Sequence, residues 1–299
     1  MNAAGSGSAL QRKKVNCAHC LSAKMSVDLK GRVAIVTGAA QGIGAAIAEA
    51  LLHNRCKVCI ADILEDVGKN TCQTLKAEYG EESVCFRTMD VTRKDSFEAV
   101  FKDMENFWGP VTILAHNAGL AREDEYERTI AVNLVSYITA GHLALQHMGK
   151  DKGGHGGNVI FTASVLGLIP CDRVPAYTAS KFGAVGLIQC FSGKAYESSG
   201  IRFAALCPGV TDTMLVKKLH SETSPDKPNV LSSLTAVKGM DGVSTTKLIA
   251  GGAIQLLKDN RNGAALIVHC NLDGHYRYLS DLHFDPDALL AATTPAKTS

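Results

Sequence analysis

Residues 37–44 read Thr37-Gly38-Ala39-Ala40-Gln41-Gly42-Ile43-Gly44, with the run Arg32-Thr37 before them and the helical stretch Gly42-His53 after. Apolar, then glycine-rich, then helical is the order of a strand that turns sharply into a helix. Glycines there permit a tight turn and a close backbone approach to a ligand. The free N–H groups and dipole at the helix start favour a negatively charged group such as a pyrophosphate. A glycine-rich turn alone is weak, but strand before and helix after give it a context.

Working outward, strand-like runs recur at Lys57-Asp62, Ser83-Met89, Val111-Ala115, Asn158-Ala163, Arg202-Cys207 and Ala264-His269. Several are continuously apolar, as parallel strands buried on both faces must be. Stretches long enough for crossover helices separate them, among them Asp95-Phe107 and Ala176-Ser198. This alternation predicts an α/β single domain, a doubly wound, seven-stranded, mostly parallel sheet with helices on both faces, over residues 28–275. The Ser/Thr/Pro-rich stretch 211–242 breaks the rhythm and reads as a substrate lid. Residues 1–27 read as a disordered extension and 276–299 as a tail.

Ligands bind at the carboxyl ends of strands in such sheets. Asp62 ends the second strand, 18 positions beyond Gly44. Its carboxylate is placed to accept both hydroxyls of an adenosine ribose and to repel an added phosphate, and the glycine turn holds no Lys or Arg to offset that repulsion. NAD is therefore expected over NADP. Gly38, Gln41, Gly42, Ile43 and Gly44 are the expected phosphate cradle. Asp90 and Val91 end the third strand, and Asn117, Ala118 and Gly119 follow the fourth.

The bulk numbers exclude other classes. A net charge of +2 leaves no footprint for nucleic acid, and no apolar run approaches a membrane span. Ten cysteines lie mostly in apolar runs, where they act as small hydrophobes, and no apolar signal segment precedes them. Cys17/Cys20, with His19 between, finds no second pair to complete a zinc site, and Cys56/Cys59 opens a strand rather than a helix. No metal is expected. A cytoplasmic location is expected, with the basic, acid-free N-terminal stretch (Arg12, Lys13, Lys14, Lys24) leaving a mitochondrial transit peptide as the alternative.

The chemistry is carried by Ser164 and Tyr177-Thr178-Ala179-Ser180-Lys181. Tyr and Lys four apart share one helix face. A free phenol titrates near 10, too high for a base at neutral pH. An ammonium at about 4 Å stabilises the phenolate by roughly 4 kcal/mol at an effective dielectric near 20, enough to lower its pKa by about 3. Tyr177 is then expected to exchange a proton with a substrate oxygen.

Thr37-Gly38-x3-Gly42-x-Gly44, Asn117-Ala118-Gly119, Asn133, Ser164 and Tyr177-x3-Lys181, in that order, resemble the short-chain dehydrogenase/reductase family over residues 29–270, a Rossmann-type fold. The resemblance implies an NAD-dependent oxidoreductase moving a hydride between a secondary alcohol and its ketone. It implies Tyr177 as acid/base, and Lys181 as the group that lowers its pKa and holds the nicotinamide ribose. Ser164 would orient the substrate oxygen, and Asn133 would position the helix and a relay water. Pro208, Thr211 and Thr213 would contact the nicotinamide. Val132-Asn133-Leu134-Val135-Ser136, Gly153-Gly154-His155-Gly156-Gly157 and Gly167-Leu168-Ile169-Pro170 are most similar to 15-hydroxyprostaglandin dehydrogenases and insect-type alcohol dehydrogenases, which makes a hydroxy-lipid a candidate substrate. Two positions depart from that pattern. Val174 stands where the prostaglandin enzymes carry a substrate-orienting glutamine, and His116 stands first in the Asn-Asn-Ala-Gly motif. Open alternatives are an NADP-dependent carbonyl reductase and a non-catalytic dinucleotide sensor. A homodimer or homotetramer is expected, packed through helices beginning near Tyr126 and Ala176.

Because residues 1–24 lack periodic apolar content, a chain starting at Met25 is expected to melt and turn over like the full chain. A large drop in melting temperature on that truncation would show the segment to be structural.

Overall fold

The computed structural model describes residues 27–221, 242–272 and 274–279. Seven parallel strands, β1 (Val33–Thr37), β2 (Lys57–Asp62), β3 (Val84–Thr88), β4 (Val111–His116), β5 (Gly157–Thr162), β6 (Ile201–Pro208) and β7 (Ala264–Val268), fall on the expected runs. They lie in the order β3-β2-β1-β4-β5-β6-β7, with an eighth strand beyond. β1 pairs with both β2 and β4, so the crossovers leave it toward opposite sides. The connections after β1 and β4 diverge there and open a crevice at their carboxyl ends.

Period-two side-chain alternation splits each strand between two cores. Val33 and Ile35 of β1 join Leu114, Phe161 and Phe203 on one face, under α3 (Lys94–Trp108), α5 (Ser136–Met148) and α6 (Pro175–Phe191). Ala34 and Val36 join Ile60, Ile160 and Leu206 on the other, under α1 (Gly42–His53), α2 (Glu65–Tyr79) and α9 (Thr246–Asp259). Close packing sets some sequence choices on these faces. A Cβ on Gly141 of α5 would lie 2.4 Å from the Phe191 ring, so only glycine lets α5 and α6 meet there.

Three boundaries differ from the sequence expectation. The stretch Ala176-Ser198 is two helices, α6 and α7 (Lys194–Ser199), broken where Asn262 Nδ2 donates to Ser192 O at 2.7 Å and Gly193 leaves helical geometry. The sheet has eight strands, because Tyr276–Tyr278 forms β8, antiparallel to β7. The expected tail 276–299 therefore begins inside the sheet. The Tyr276 ring packs on the second core, and the Tyr278 hydroxyl donates to Asp259 Oδ2 at 2.8 Å. The remainder of that tail, residues 1–26 with Cys17, His19 and Cys20, and most of the expected lid lie outside the described residues. Of the lid, Met214–Ser221 is helix α8, and Thr211 bridges to Ser244. Cys56 and Cys59 are buried free thiols. Cys56 donates to Leu29 O at 3.2 Å, and Cys59 sits beside Cys85, its register partner on β3. Among the described residues, no helix is long and apolar enough to cross a membrane.

Candidate active site

The glycine turn is built for close approach. A Cβ on Gly44 would fall 2.2 Å from Gly38 O, and one on Gly38 2.7 Å from Ala118 Cα. No side chain caps α1, whose N-cap is Gln41, and its first turn holds no acidic residue. Its orphan amides therefore face the crevice, ready for an anion. Thr213 closes over this turn, 3.8 Å from a Cβ placed on Gly42, and Thr211 beneath it donates to Gly209 O at 2.9 Å. Pro208 ends β6 alongside.

Asp62 is 9% exposed at the end of β2. Its Oδ2 accepts from Ala40 N at 2.9 Å and its Oδ1 from Leu64 N at 3.0 Å. Each oxygen keeps a second lone pair for a ribose hydroxyl. Asp90 spends Oδ1 on Thr92 N and Thr92 Oγ1, so it serves the turn after β3, and Val91 behind it is buried.

Thr37 joins the two sides of the crevice. Its Oγ1 accepts from Asn117 N at 3.1 Å and Ala118 N at 3.2 Å, which assigns its proton to His116 Nδ1 at 2.8 Å. His116 Nε2 then donates to Ser136 Oγ at 2.8 Å, and Ser136 donates to Val132 O. Asn117 Nδ2 returns to Gly38 O at 3.1 Å. His116 is fully buried, edge-on to the Tyr137 ring at 4.3 Å. Burial first, and the Lys181 charge second, hold its pKa down to about 3. The imidazole at this position thus ties β1, β4 and the start of α5 into one network.

The chemical groups converge from three elements. Ser164 follows β5, is 8% exposed, and accepts from Leu166 N at 3.1 Å. Tyr177 stands on the first turn of α6, its phenol near enough to Ser164 for that side chain to act on its pKa. Lys181, one turn on, is 3% exposed and lies 5.6 Å from the Tyr177 ring centroid. Its ammonium donates to Thr162 O at 2.7 Å and Tyr137 Oη at 3.4 Å. An ammonium has three donors, so one N–H remains, and a Cβ on Gly119 would lie 3.6 Å from this nitrogen. An uncapped helix start, the spare lone pairs of Asp62 and this third N–H fit a dinucleotide laid across the crevice.

Asn133 sits in a widened π-turn, Ala131–Val135, between α4 (Tyr126–Ile130) and α5. Its Oδ1 accepts from Leu120 N at 2.8 Å, while Nδ2 donates to Leu120 O at 2.7 Å and Ser180 Oγ at 3.1 Å. Ser180 in turn donates to Tyr177 O. Both N–H groups are spent inside the protein, so the side chain braces α6, in line with the expected positioning of that helix. The Tyr177–Lys181 pair differs in sign from the expectation its spacing gave. Burial pushes Tyr177 up to about 12, against the Ser164 hydrogen bond, and pulls Lys181 down to about 7. Among the protein's own groups, desolvation outweighs the attraction that the Tyr–Lys spacing suggested.

Val174, the N-cap of α6, is 2% exposed and packs with Leu166 and Cys171, and with Ile169 and Tyr177, so the wall beside the phenol is apolar. Tyr137 and Thr162, which hold Lys181, and Glu123, which reaches the start of α6, escaped the sequence reading. None of them stands in a recognisable motif.

A glycine turn at the switch point beside a Ser–Tyr–Lys cluster defines a dinucleotide-dependent oxidoreductase of the doubly wound class. The family model for short chain dehydrogenases matches residues 32–224, and the chain belongs to that family. It is 35% identical to the NAD(+) 15-hydroxyprostaglandin dehydrogenase of Bos taurus, over 84% of this chain and 96% of that protein. Identity to 3beta-hydroxysteroid dehydrogenase 2 of Eggerthella lenta is 31%, over 80% and 94%. Alcohol dehydrogenase 1 of Ceratitis capitata is 29% identical, over 67% and 78%. The crystal structure of gox2181 superposes with a TM-score of 0.71 at 25% identity, covering 81% of this chain and 96% of that one. An NAD complex of a short chain dehydrogenase/reductase from Burkholderia phymatum shares the fold, at TM-score 0.67 and 21% identity, over 81% and 90%. Family membership makes the protein an oxidoreductase of CH–OH groups, using a nicotinamide dinucleotide.

His116 gives the fold an acid limit. The unfolded imidazole binds a proton near 6.5 and the folded one only near 3, so its contribution is whole above about 6.5 and is lost as pH falls. At pH 5.5 the loss relative to pH 7.5 is about 1.4 kcal/mol. Denaturant titrations at the two pH values are expected to show that difference shrinking by about that amount in His116→Asn. An unchanged difference would place the acid sensitivity elsewhere.

Proposed function

We propose that the protein oxidises a secondary alcohol to its ketone with NAD, taking a hydrophobic hydroxy-lipid or prostaglandin-like substrate. The observation that carries this reading is the convergence of Ser164, Tyr177 and Lys181 beside Gly119 at the switch point. When bound, NAD supplies the hydride acceptor and a positive charge. Ser164 donates to the substrate oxygen and orients the carbinol. Tyr177 takes the hydroxyl proton, and the positive charges around it offset the burial that otherwise keeps the phenol protonated. Lys181 offers its remaining N–H to the ribose and adds its own charge where it is protonated.

Asp62 supports NAD over NADP, because a carboxylate anchored by two backbone amides cannot swing away from an added phosphate. The apolar wall at Val174 supports a substrate that is hydrophobic on both sides of the carbinol. Exposed Tyr126, Val135, Ile138 and Phe182, on α4, the π-turn, α5 and α6, support pairing of two copies through these helices.

Two predictions test this. In the first, kcat/KM is expected to favour NAD strongly, and Asp62→Ala to narrow that preference while weakening NAD; equal values for both cofactors in the wild type would overturn the assignment. In the second, a panel of secondary alcohols is followed by nicotinamide absorbance. Tyr177→Phe is expected to abolish turnover with the melting temperature intact, and Ser164→Ala to cost about 10²- to 10³-fold. Lys181→Ala is expected to lower kcat, weaken NAD and move the acid limb of kcat/KM, which reports Tyr177 as the base, to higher pH, with Lys181→Arg in between. A rate loss in Lys181→Ala without movement of that limb would reduce the lysine to a ribose ligand.

A further inference from the structure

The first turn of α6 leaves unusually few backbone donors open. Pro175 holds the first helical position and has no N–H. Val174 at the N-cap offers no side-chain acceptor, and Thr178 N already bonds Val174 O at 2.8 Å. The open donors of the turn are therefore Ala176 N and Tyr177 N. Both go to one carboxylate, that of Glu123: Ala176 N to Oε2 and Tyr177 N to Oε1, each at 3.0 Å. The cap that serine or aspartate normally supplies at the helix's own start arrives here from 53 and 54 residues upstream.

The segment that delivers it is itself held. Leu120 N and O are both bonded by the Asn133 side chain, and Arg122 N and O by Thr129 Oγ1. Glu123 therefore stands on a braced connection that starts at Gly119, beside Lys181. A carboxylate at a helix N-terminus is favoured by the dipole, and its bonds to N–H are charge-assisted. One of those two bonds ends on the main chain of the residue whose hydroxyl faces Ser164.

We propose that Glu123 is a positioning residue of the reaction, locking the main chain of Tyr177 to the connection after Gly119. The proposal rests on the reading of Tyr177 as the acid/base. The carboxylate acts in two ways. It fixes the main chain on which the phenol stands, and a negative charge bonded to the Tyr177 amide would oppose phenolate formation. Removing the charge while keeping an acceptor separates the two.

The test uses Glu123→Ala, Glu123→Gln and Glu123→Asp in the full chain, with three readouts. These are steady-state kinetics on the best alcohol of the panel, amide hydrogen exchange at Ala176 and Tyr177, and ultraviolet titration of Tyr177 as the difference from Tyr177→Phe. Glu123→Ala is expected to lower kcat by about 10- to 100-fold through misplacement of the phenol, with KM for NAD nearly unchanged. The two amides are expected to exchange roughly five- to tenfold faster, as befits a lost cap. Glu123→Gln is expected to keep much of the protection and to move both the Tyr177 titration and the limb of kcat/KM that reports it to lower pH. Glu123→Asp is expected to recover part of the rate. Wild-type kcat and exchange in Glu123→Ala would overturn the proposal. So would a rate loss that only tracks the folded fraction while the Tyr177 titration stays put in Glu123→Gln. Should the wild type oxidise no alcohol at all, the proposed function fails, and exchange and titration still decide the role of Glu123.

Discussion

The hydroxyl of Thr37 is the joint on which the crevice depends. Strands β1 and β4 are neighbours whose connections depart to opposite faces, and something must hold their ends together while the backbone opens. Thr37 Oγ1 does so by accepting two amides from the β4 side and giving its proton to His116. Its capacity is then full. From that saturation the tautomer of His116 follows, then the donation to Ser136, and then the anchoring of Val132 within the π-turn that carries Asn133. A buried network of this kind is stable only when every member is satisfied, and here each one is.

Burial sets the electrostatics of the Tyr177–Lys181 pair. Lys181 lies between two tyrosine rings and donates to a carbonyl and a hydroxyl, neither of which carries charge. Taking an ammonium and a phenol out of water together penalises both ionised forms, and their attraction at this separation does not recover the loss. The protein thus holds a neutral phenol and a weakly basic lysine until positive charge enters the crevice. On the proposed reading, such an arrangement would tie proton transfer to occupation of the site, because a cationic nicotinamide would supply the missing charge. A pair with a permanently depressed phenol would lack that tie.

What the sequence could reveal follows from where each feature's partners lie. Most of the seven strands were legible because both of their faces are buried, which leaves continuous apolar runs such as Val33–Val36. The crevice was legible because its glycines answer to contacts only a few residues or one strand away, as Gly44 does to Gly38. β8 was not, since three residues bearing a central Arg277 make no run, though the spacing of Tyr276 and Tyr278 did carry a period-two hint. The break at Ser192 depends on Asn262, and the cap of α6 on Glu123, both distant in the chain. The sign of the Tyr177 shift was hidden for a related reason: spacing gives the attraction between two groups, while desolvation is set by everything packed around them.

The two walls of the site obey different rules on the proposed reading. On the cofactor side, positions are fixed by backbone hydrogen bonds: Asp62 to Ala40 and Leu64, Asn117 to Gly38, Thr37 to Asn117 and Ala118. On the substrate side, among the described residues, Leu166, Ile169, Cys171 and Val174 offer shape alone, and Ser164 beside Tyr177 is the polar group next to them. A site that hydrogen-bonds a second substrate group rejects molecules lacking it by large factors, because a buried polar group would be left unpaired. An apolar wall discriminates by only about 1–3 kcal/mol per methylene. With valine rather than an amide at position 174, no such penalty operates beside the phenol. Selectivity among hydrophobic alcohols must then come from the fit of the chain on either side of the carbinol, and a graded series of related substrates follows more naturally than a single one.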